Sequence, residues 1–295
     1  MTAYRASPIK RARRTKSEIE QLEQQIFDVL EQDHPQSVRH VFYRLTDPRL
    51  PIPIEKSDRG YRQLQQRCVT MRREGKLPYG WFADSSRRGY FTNTYSSAAD
   101  FVLKMQGYYR ADLWRDADFR CEVWCESRSI GGVLLGTCNE LAVDLYPCGG
   151  FPSLTFVHEA AEQTNHLNDP RPLHVLYVGD YDPAGVTIDC NLERELHKHL
   201  NGDTELVFRR LAINEEQIER YDLPTKPRKK SDQRALHIRE TVEAEAMPAH
   251  MLRDLVREAV EGLLPAGALQ AAKVAEHSEQ EHLIQMAELL GQEAA

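Results

Sequence analysis

Leu173-His-Val-Leu-Tyr-Val-Gly-Asp-Tyr-Asp-Pro-Ala-Gly185 is an apolar run that stops at two acids, Asp180 and Asp182. Leu173, Val175 and Tyr177 alternate with His174, Leu176 and Val178, and nearly all are apolar. That is the pattern of a strand covered on both faces in a parallel sheet. Gly179 ends the strand, and Pro183 and Gly185 lead into a helix expected from Val186 to about Leu200. The two acids then lie just past the strand's carboxyl end, where open α/β sheets bind ligands. Acids two apart in extended chain leave on the same side, so both can face one hard, oxygen-seeking cation such as Mg²⁺. The bland alternative is that they cap the following helix.

The same βα grammar surrounds this stretch. A strand expected over Arg120 to Cys125 ends at Glu126 and precedes a helix from about Ile130 to Leu141. Val143 to Pro147 reads as another strand, and Leu206 to Leu211 as the fourth. Between them, Leu154-Thr-Phe-Val has strand propensity, but Pro152 and the run Glu159-Ala-Ala-Glu-Gln favour a helix from Ser153 to about His166. Strands alternating with helices imply a parallel sheet. Glu126, also at a strand's carboxyl end, can then converge with Asp180 and Asp182. Three carboxylates gathered without obvious local Lys or Arg partners repel, and a divalent cation removes that penalty while polarising a bound phosphate. Glu122 and Asp169 read as surface or structural acids.

The amino-terminal half has a different character. Arg5, Lys10, Arg11, Arg13, Arg14 and Lys16 form a basic arm over residues 1–16, either an arm that orders on a polyanion or a solvated tail. Ser17 with Glu20 reads as a capping box for a helix with Ile19, Leu22, Ile26, Val29 and Leu30 on one face. Ser37 caps a second helix, Val38 to Leu45, in which Arg39 and Tyr43, four apart, share a face away from the apolar stripe. A third helix from about Ser57 to Glu74 turns Tyr61, Leu64, Cys68 and Met71 inward and Arg59, Arg62, Arg67, Arg72 and Arg73 mostly outward. With the strand-like pieces Trp81 to Asp84 and Gly89 to Phe91, residues 17–115 read as a winged helix-turn-helix whose third helix enters the major groove of double-stranded DNA. The alternative is a helical domain with a solvated basic face.

Charge follows this division. Residues 1–110 hold 20 Lys and Arg against 12 Asp and Glu; the remainder hold 18 against 33, within a net charge of −7 over 295 residues. An asymmetry of this kind marks one half for nucleic acid. Apolar runs are far shorter than a membrane span and the basic amino terminus lacks a signal-like apolar stretch, so a cytoplasmic protein is expected. The six cysteines form no Cys-x-x-Cys pair and are expected as reduced thiols. No Gly-x-x-x-x-Gly-Lys motif is present, which argues against a built-in ATPase.

Taken together these residues resemble a known family, over Ser37 to about Val260. The Glu126 strand end and the Gly179-Asp-Tyr-Asp-Pro-Ala-Gly185 turn resemble the Toprim domain of topoisomerases, primases and related nucleases. The helix Arg39-His-Val-Phe-Tyr43, Gly150-Phe-Pro152, Asn214 to Pro224 and Thr241 to Leu252 resemble the A subunit of type IIB topoisomerase (topoisomerase VI) and its meiotic double-strand-break relative. The resemblance implies a winged-helix domain carrying a nucleophilic tyrosine, here Tyr43, with Arg39 beside it. It also implies a Toprim domain over residues 116–295, with a mainly parallel four-stranded sheet flanked by helices, in which Glu126, Asp180 and Asp182 hold one or two Mg²⁺ ions. A two-fold homodimer would combine one subunit's tyrosine with the other's metal, forming a 5′-phosphotyrosyl link and a double-strand break. The chain is shorter than the family's A subunits and shows no surface for an ATPase partner, so it resembles a stand-alone, reduced form. Two other readings stay open: a Toprim nuclease that uses water, and a non-catalytic winged-helix DNA-binding protein.

Overall fold

Three local devices start the first three helices. Thr15, in extended conformation, accepts a hydrogen bond from the Glu18 N–H, and the Glu18 carboxylate accepts one from the Thr15 N–H. This reciprocal capping box opens α1 (Lys16–Gln32) one half-turn before the expected Ser17/Glu20 pair. Both pairs have the required spacing, so the pattern alone does not choose between them. Ser37 caps α2 (Val38–Leu45) through the His40 N–H as expected, and Ser57, at the expected start of the third helix, caps α3 (Asp58–Arg73) through the Gly60 N–H.

The computed structural model describes residues 14–83, 92–228, 232 and 234–293. The chain divides into two compact units, residues 1–82 and 83–295. In the first, Leu22, Ile26 and Leu30 of α1, Val41 and Leu45 of α2, and Leu64, Cys68 and Met71 of α3 are buried where the three helices pack. Trp81 does not lie in a strand. Tyr79–Trp81 forms a short 3₁₀ turn behind Pro78, whose ring presets the turn, and Trp81 stacks on His34 at 4.8 Å. Phe82 makes a single bridge to Gln36. Asp84 and Gly89 to Phe91, the rest of the expected wing, lie outside the described residues, as does the arm through Arg13.

In the second unit, α4 (Ala98–Met105) packs on α10 (Ala268–Glu293), so the boundary falls at 82/83 rather than near 115. The sheet comprises β1 (Arg120–Cys125), β2 (Asp144–Pro147), β3 (Leu173–Val178) and β4 (Leu206–Ala212), all parallel in the order β2-β1-β3-β4. Its connecting helices are α5 (Arg128–Glu140), α6 (Leu154–His166, capped by Ser153) and α7 (Gly185–His199). The segment at 154–157 is thus helical. Trp124, Val175 and Tyr177 pack with Val157, Ala160, Ala161, Ile188, Leu192 and Leu196 of α6 and α7. The strands' alternate residues, among them Val123, Leu176 and Val178, are equally buried, which is why β3 is apolar on both faces.

After β4 come α8 (Glu215–Arg220), a two-stranded ribbon of β5 (Lys226–Pro227) and β6 (Glu240–Thr241), and α9 (Ala249–Glu261), which packs on α5 and β4. The six cysteines are free thiols, with Cys68, Cys125 and Cys138 buried. Among the described residues no helix is long and apolar enough to cross a membrane.

Candidate functional site

The carboxyl ends of β1 and β3 are neighbours in the sheet, and this brings Glu126 to the Asp180 turn. The Glu126 N–H donates to the Val178 carbonyl at 2.9 Å, and Glu126 Oε2 accepts from the Asp180 N–H at 3.0 Å. Asp182 Oδ1 accepts from the Gly185 N–H at 2.7 Å, so the helix-capping role is realised for this acid at the start of α7. Gly185 has no room for a side chain: a Cβ there would lie 2.2 Å from the Asp180 carbonyl oxygen and 3.1 Å from Glu126 Oε2. Its absence lets the first turn of α7 close over the two acids.

A segment far along the chain completes the cluster. Tyr181 and Val242 exchange two backbone hydrogen bonds, at 2.8 and 2.9 Å, and the Ala244 N–H donates to Asp180 Oδ1 at 2.8 Å. This docks Glu245, 8 % exposed, beside the other acids, where its Oε1 accepts from the Ser129 hydroxyl at 2.6 Å and the Ser127 hydroxyl at 3.4 Å. Burial pushes the Glu126 carboxyl up to about 7, with Asp182 and Glu245 adding repulsion against the Asp180 N–H and Arg210. Burial also holds Asp180 well above the usual carboxylate range, reinforced by Glu126, Glu245 and Asp182. Electrostatically these four acids are one cluster.

The acids have no obvious Lys or Arg partner near them in the sequence; the fold brings up Arg210, which lies close enough to lower the Glu126 carboxyl while pairing with Asp189. Its Nε donates to Asp189 Oδ2 at 2.5 Å, and its Nη groups donate to the carbonyls of Gly179, Asp180 and Ile213 at 3.1–3.2 Å. Glu245 lies inside the Thr241 to Leu252 stretch that carries the resemblance, where nothing in the local pattern sets it apart as a site acid, while Arg210 and Asp189 stand in no motif that marks them. Asp189 carried a signal, since it falls on the buried stripe of its helix beside Ile188 and Leu192, where an acid requires a partner.

In charge and in oxygen chemistry the four acids suit a hard divalent cation. The ligand atoms are not gathered at bonding distance: among the described residues no group of three or more His, Cys, Asp or Glu is set to hold a metal ion. One oxygen each of Glu126, Asp180 and Asp182 is turned onto a backbone amide instead.

In the first unit, Tyr43 is 7 % exposed, with its ring against Phe42 and Lys56 Nζ 6.0 Å from the ring centre. Arg39, one turn earlier on α2, seats its guanidinium 4.2 Å above the Tyr61 ring. The basic face of α3 divides in two. Arg59, Arg62 and Arg73 are exposed. Arg67 instead pairs with the buried Glu23 at 3.0 Å, joined there by Lys76 at 2.8 Å, and Arg72 lies 4.7 Å over the Phe82 ring and donates to the Cys68 carbonyl. A carboxylate placed inside a three-helix core draws its counter-charges from the nearest basic helix. Glu122 is likewise structural rather than a surface acid: it is buried and accepts from Trp124 and Thr164.

Comparison of the sequence with protein-family models and with curated proteins finds no match.

Proposed function

We propose that this chain is a Mg²⁺-dependent DNA-cleaving transesterase of the topoisomerase VI A type, with a winged-helix domain bearing Tyr43 and a Toprim domain bearing the acids. The observation that carries this reading is the convergence of Glu126, Asp180 and Asp182, with Glu245, at the carboxyl edge of one parallel sheet. A buried cluster of acids that raises its own members' proton affinity is what a divalent-cation site presents before the cation binds.

In this reading Glu126, Asp180 and Asp182 would hold Mg²⁺, which would supply positive charge to stabilise the reacting phosphate. The Tyr43 hydroxyl oxygen, losing its proton to solvent, attacks a DNA phosphorus, and the P–O bond to the 3′ oxygen of the neighbouring nucleotide breaks, giving a 5′-phosphotyrosyl bond and a 3′ hydroxyl that takes up a proton from solvent. One phosphodiester is exchanged for another, so resealing needs no outside energy. A phenol with a pKa near 10 is a weak nucleophile at neutral pH, and the Arg39 guanidinium supplies charge against the developing phenolate. The exposed Arg59, Arg62 and Arg73 contact DNA phosphates. The assembly is a two-fold homodimer acting on double-stranded DNA in the cytoplasm, each site built from one chain's tyrosine and the other's acids.

A second reading, hydrolysis by water with Tyr43 as a packing residue, is favoured by the 7 % exposure of that side chain. Supercoiled plasmid incubated with the protein and Mg²⁺, then run with and without proteinase, separates the two. The transesterase leaves protein on the 5′ ends, and Tyr43→Phe abolishes cleavage while DNA affinity stays within about two-fold. Cleavage by Tyr43→Phe at the wild-type rate, with no protein on the ends, establishes the hydrolase. An absence of any Mg²⁺-dependent cutting leaves a DNA-binding protein.

A further inference from the structure

Arg210 lies on the inner side of the loop that carries Asp180 and Asp182, and its side chain is only 15 % exposed. The partner that fixes it is Asp189 of α7, itself 10 % exposed, whose second oxygen accepts from the Cys190 N–H. Held by Nε, the planar fork aims its Nη groups at three carbonyls: Gly179 and Asp180 in the acid loop, and Ile213 just past β4. A bulge sets up this reach. Tyr177 pairs with Arg210 and Val178 with Ala212, so Leu211 is an extra residue in β4 at the level of the site. Bulges beside sites re-aim side chains in this way.

Two of the carbonyls matter because each belongs to a peptide whose other end does something else. The Gly179 carbonyl, which also accepts from the Ile213 N–H at 2.9 Å, shares its peptide plane with the Asp180 N–H, which reaches Glu126 Oε2 at 3.0 Å. The Asp180 carbonyl shares its plane with the Tyr181 N–H, which reaches the Val242 carbonyl at 2.8 Å and so brings in the Glu245 segment. A trans peptide directs C=O and N–H oppositely, so a donor that fixes one end fixes the other.

We propose that Arg210, anchored by Asp189, is a positioning residue that orients the two peptide planes of the acid loop and thereby sets Asp180 against Glu126 and Glu245. This rests on the proposed reading of the acids as a cation site only for its consequence, not for the orientation itself. Lysine keeps the charge but cannot reproduce the fork, because a single ammonium has no fixed plane with which to hold Asp189 and three carbonyls together.

The test uses Arg210→Lys and, as a second variant that acts through the same guanidinium, Asp189→Asn, both in the full metal-free chain. Hydrogen exchange read by mass spectrometry should show peptides covering 179–185 exchanging at least about ten-fold faster, with β1 and α10 unchanged. A purely structural role would speed exchange across the whole second unit, and that uniform result, or an unchanged loop in both variants, overturns the proposal. In parallel, Mn²⁺ titration of wild type, Arg210→Lys and Asp180→Asn should show Asp180-dependent binding that Arg210→Lys weakens about 10- to 100-fold, the range for partners that orient ligands. Wild type that binds no Mn²⁺ overturns the cation reading, while the exchange data still decide the role of Arg210.

Discussion

Gly185 and Gly136 are both helical glycines, yet their surroundings predict opposite responses to one methyl group. At Gly185 the added carbon would meet the Asp180 carbonyl oxygen at 2.2 Å, a backbone atom that cannot move without opening the acid loop. Gly185→Ala is expected to destabilise the fold by about 1–3 kcal/mol in urea unfolding, as other forced insertions into packed sites do. It should also remove any stabilisation by added Mg²⁺. Gly136, exposed in the middle of α5, has nothing within 4 Å of its would-be Cβ. Gly136→Ala is therefore expected to stabilise by about 0.5–1 kcal/mol through helix propensity alone. Equal effects at the two positions would mean that the α7 entry is not the tight closure described.

At the scale of elements, α3 and the α5–α9–α10 packing each make a prediction. Replacing Arg59, Arg62 and Arg73 together should lower DNA affinity and flatten the slope of log affinity against log salt by about one unit for each phosphate no longer neutralised, measured by fluorescence anisotropy. Arg67→Gln should leave that slope nearly unchanged and destabilise the first unit, because Glu23 would stay buried with less counter-charge. The opposite pattern would place Arg67 on DNA.

On α5, Glu140 accepts from Arg257 of α9 and from Lys273 of α10 at 2.6 Å, and Arg257 also pairs with Glu261 at 3.4 Å. Hydrogen bonds from Arg257 and Lys273 hold the Glu140 carboxyl down to about 2 against an ordinary 4.5. With the folded value below the unfolded one, the contribution is present above about 4.5 and lost as pH falls toward 2. All three side chains are a third or more exposed, so solvent screening reduces this to about 0.5–1 kcal/mol. Thermal unfolding should show that wild type loses this margin over Glu140→Gln as pH falls from the unfolded carboxyl value toward the folded one.

For the whole molecule, the proposed dimer makes a prediction that a single chain cannot satisfy. Tyr43→Phe and Asp180→Asn each remove one half of every composite site, so neither variant alone should cut. Co-expressed, the mixed dimer regains one intact site, from the tyrosine of one chain and the acids of the other, and should convert supercoiled plasmid to nicked circles but not to linear DNA. Sedimentation of wild type should show a dimer, the commonest soluble assembly. A strictly monomeric protein, or no nicking by the mixture, would place tyrosine and acids within one chain or remove the tyrosine from the chemistry.

Much of this architecture is local, and local signals are enough to read it. Ser37, Ser57 and Ser153 start helices because a hydroxyl satisfies an N–H three residues on, and β3 is legible because a doubly covered strand must be apolar throughout. Glu126, Asp180 and Asp182 are legible because strand ends in a parallel sheet share one edge, a rule that needs only strand assignment. What depended on the tertiary structure was every partnership between distant charges. Arg67 rather than Arg62 faces Glu23 although both lie on the basic helix. Glu245 reaches the acids only because Val242 pairs with Tyr181, and Arg210 reaches the loop only because β4 bulges at Leu211. Periodicity reports which face of an element is buried; it carries no information about which buried charge meets which, because that is set by packing between elements far apart in the chain.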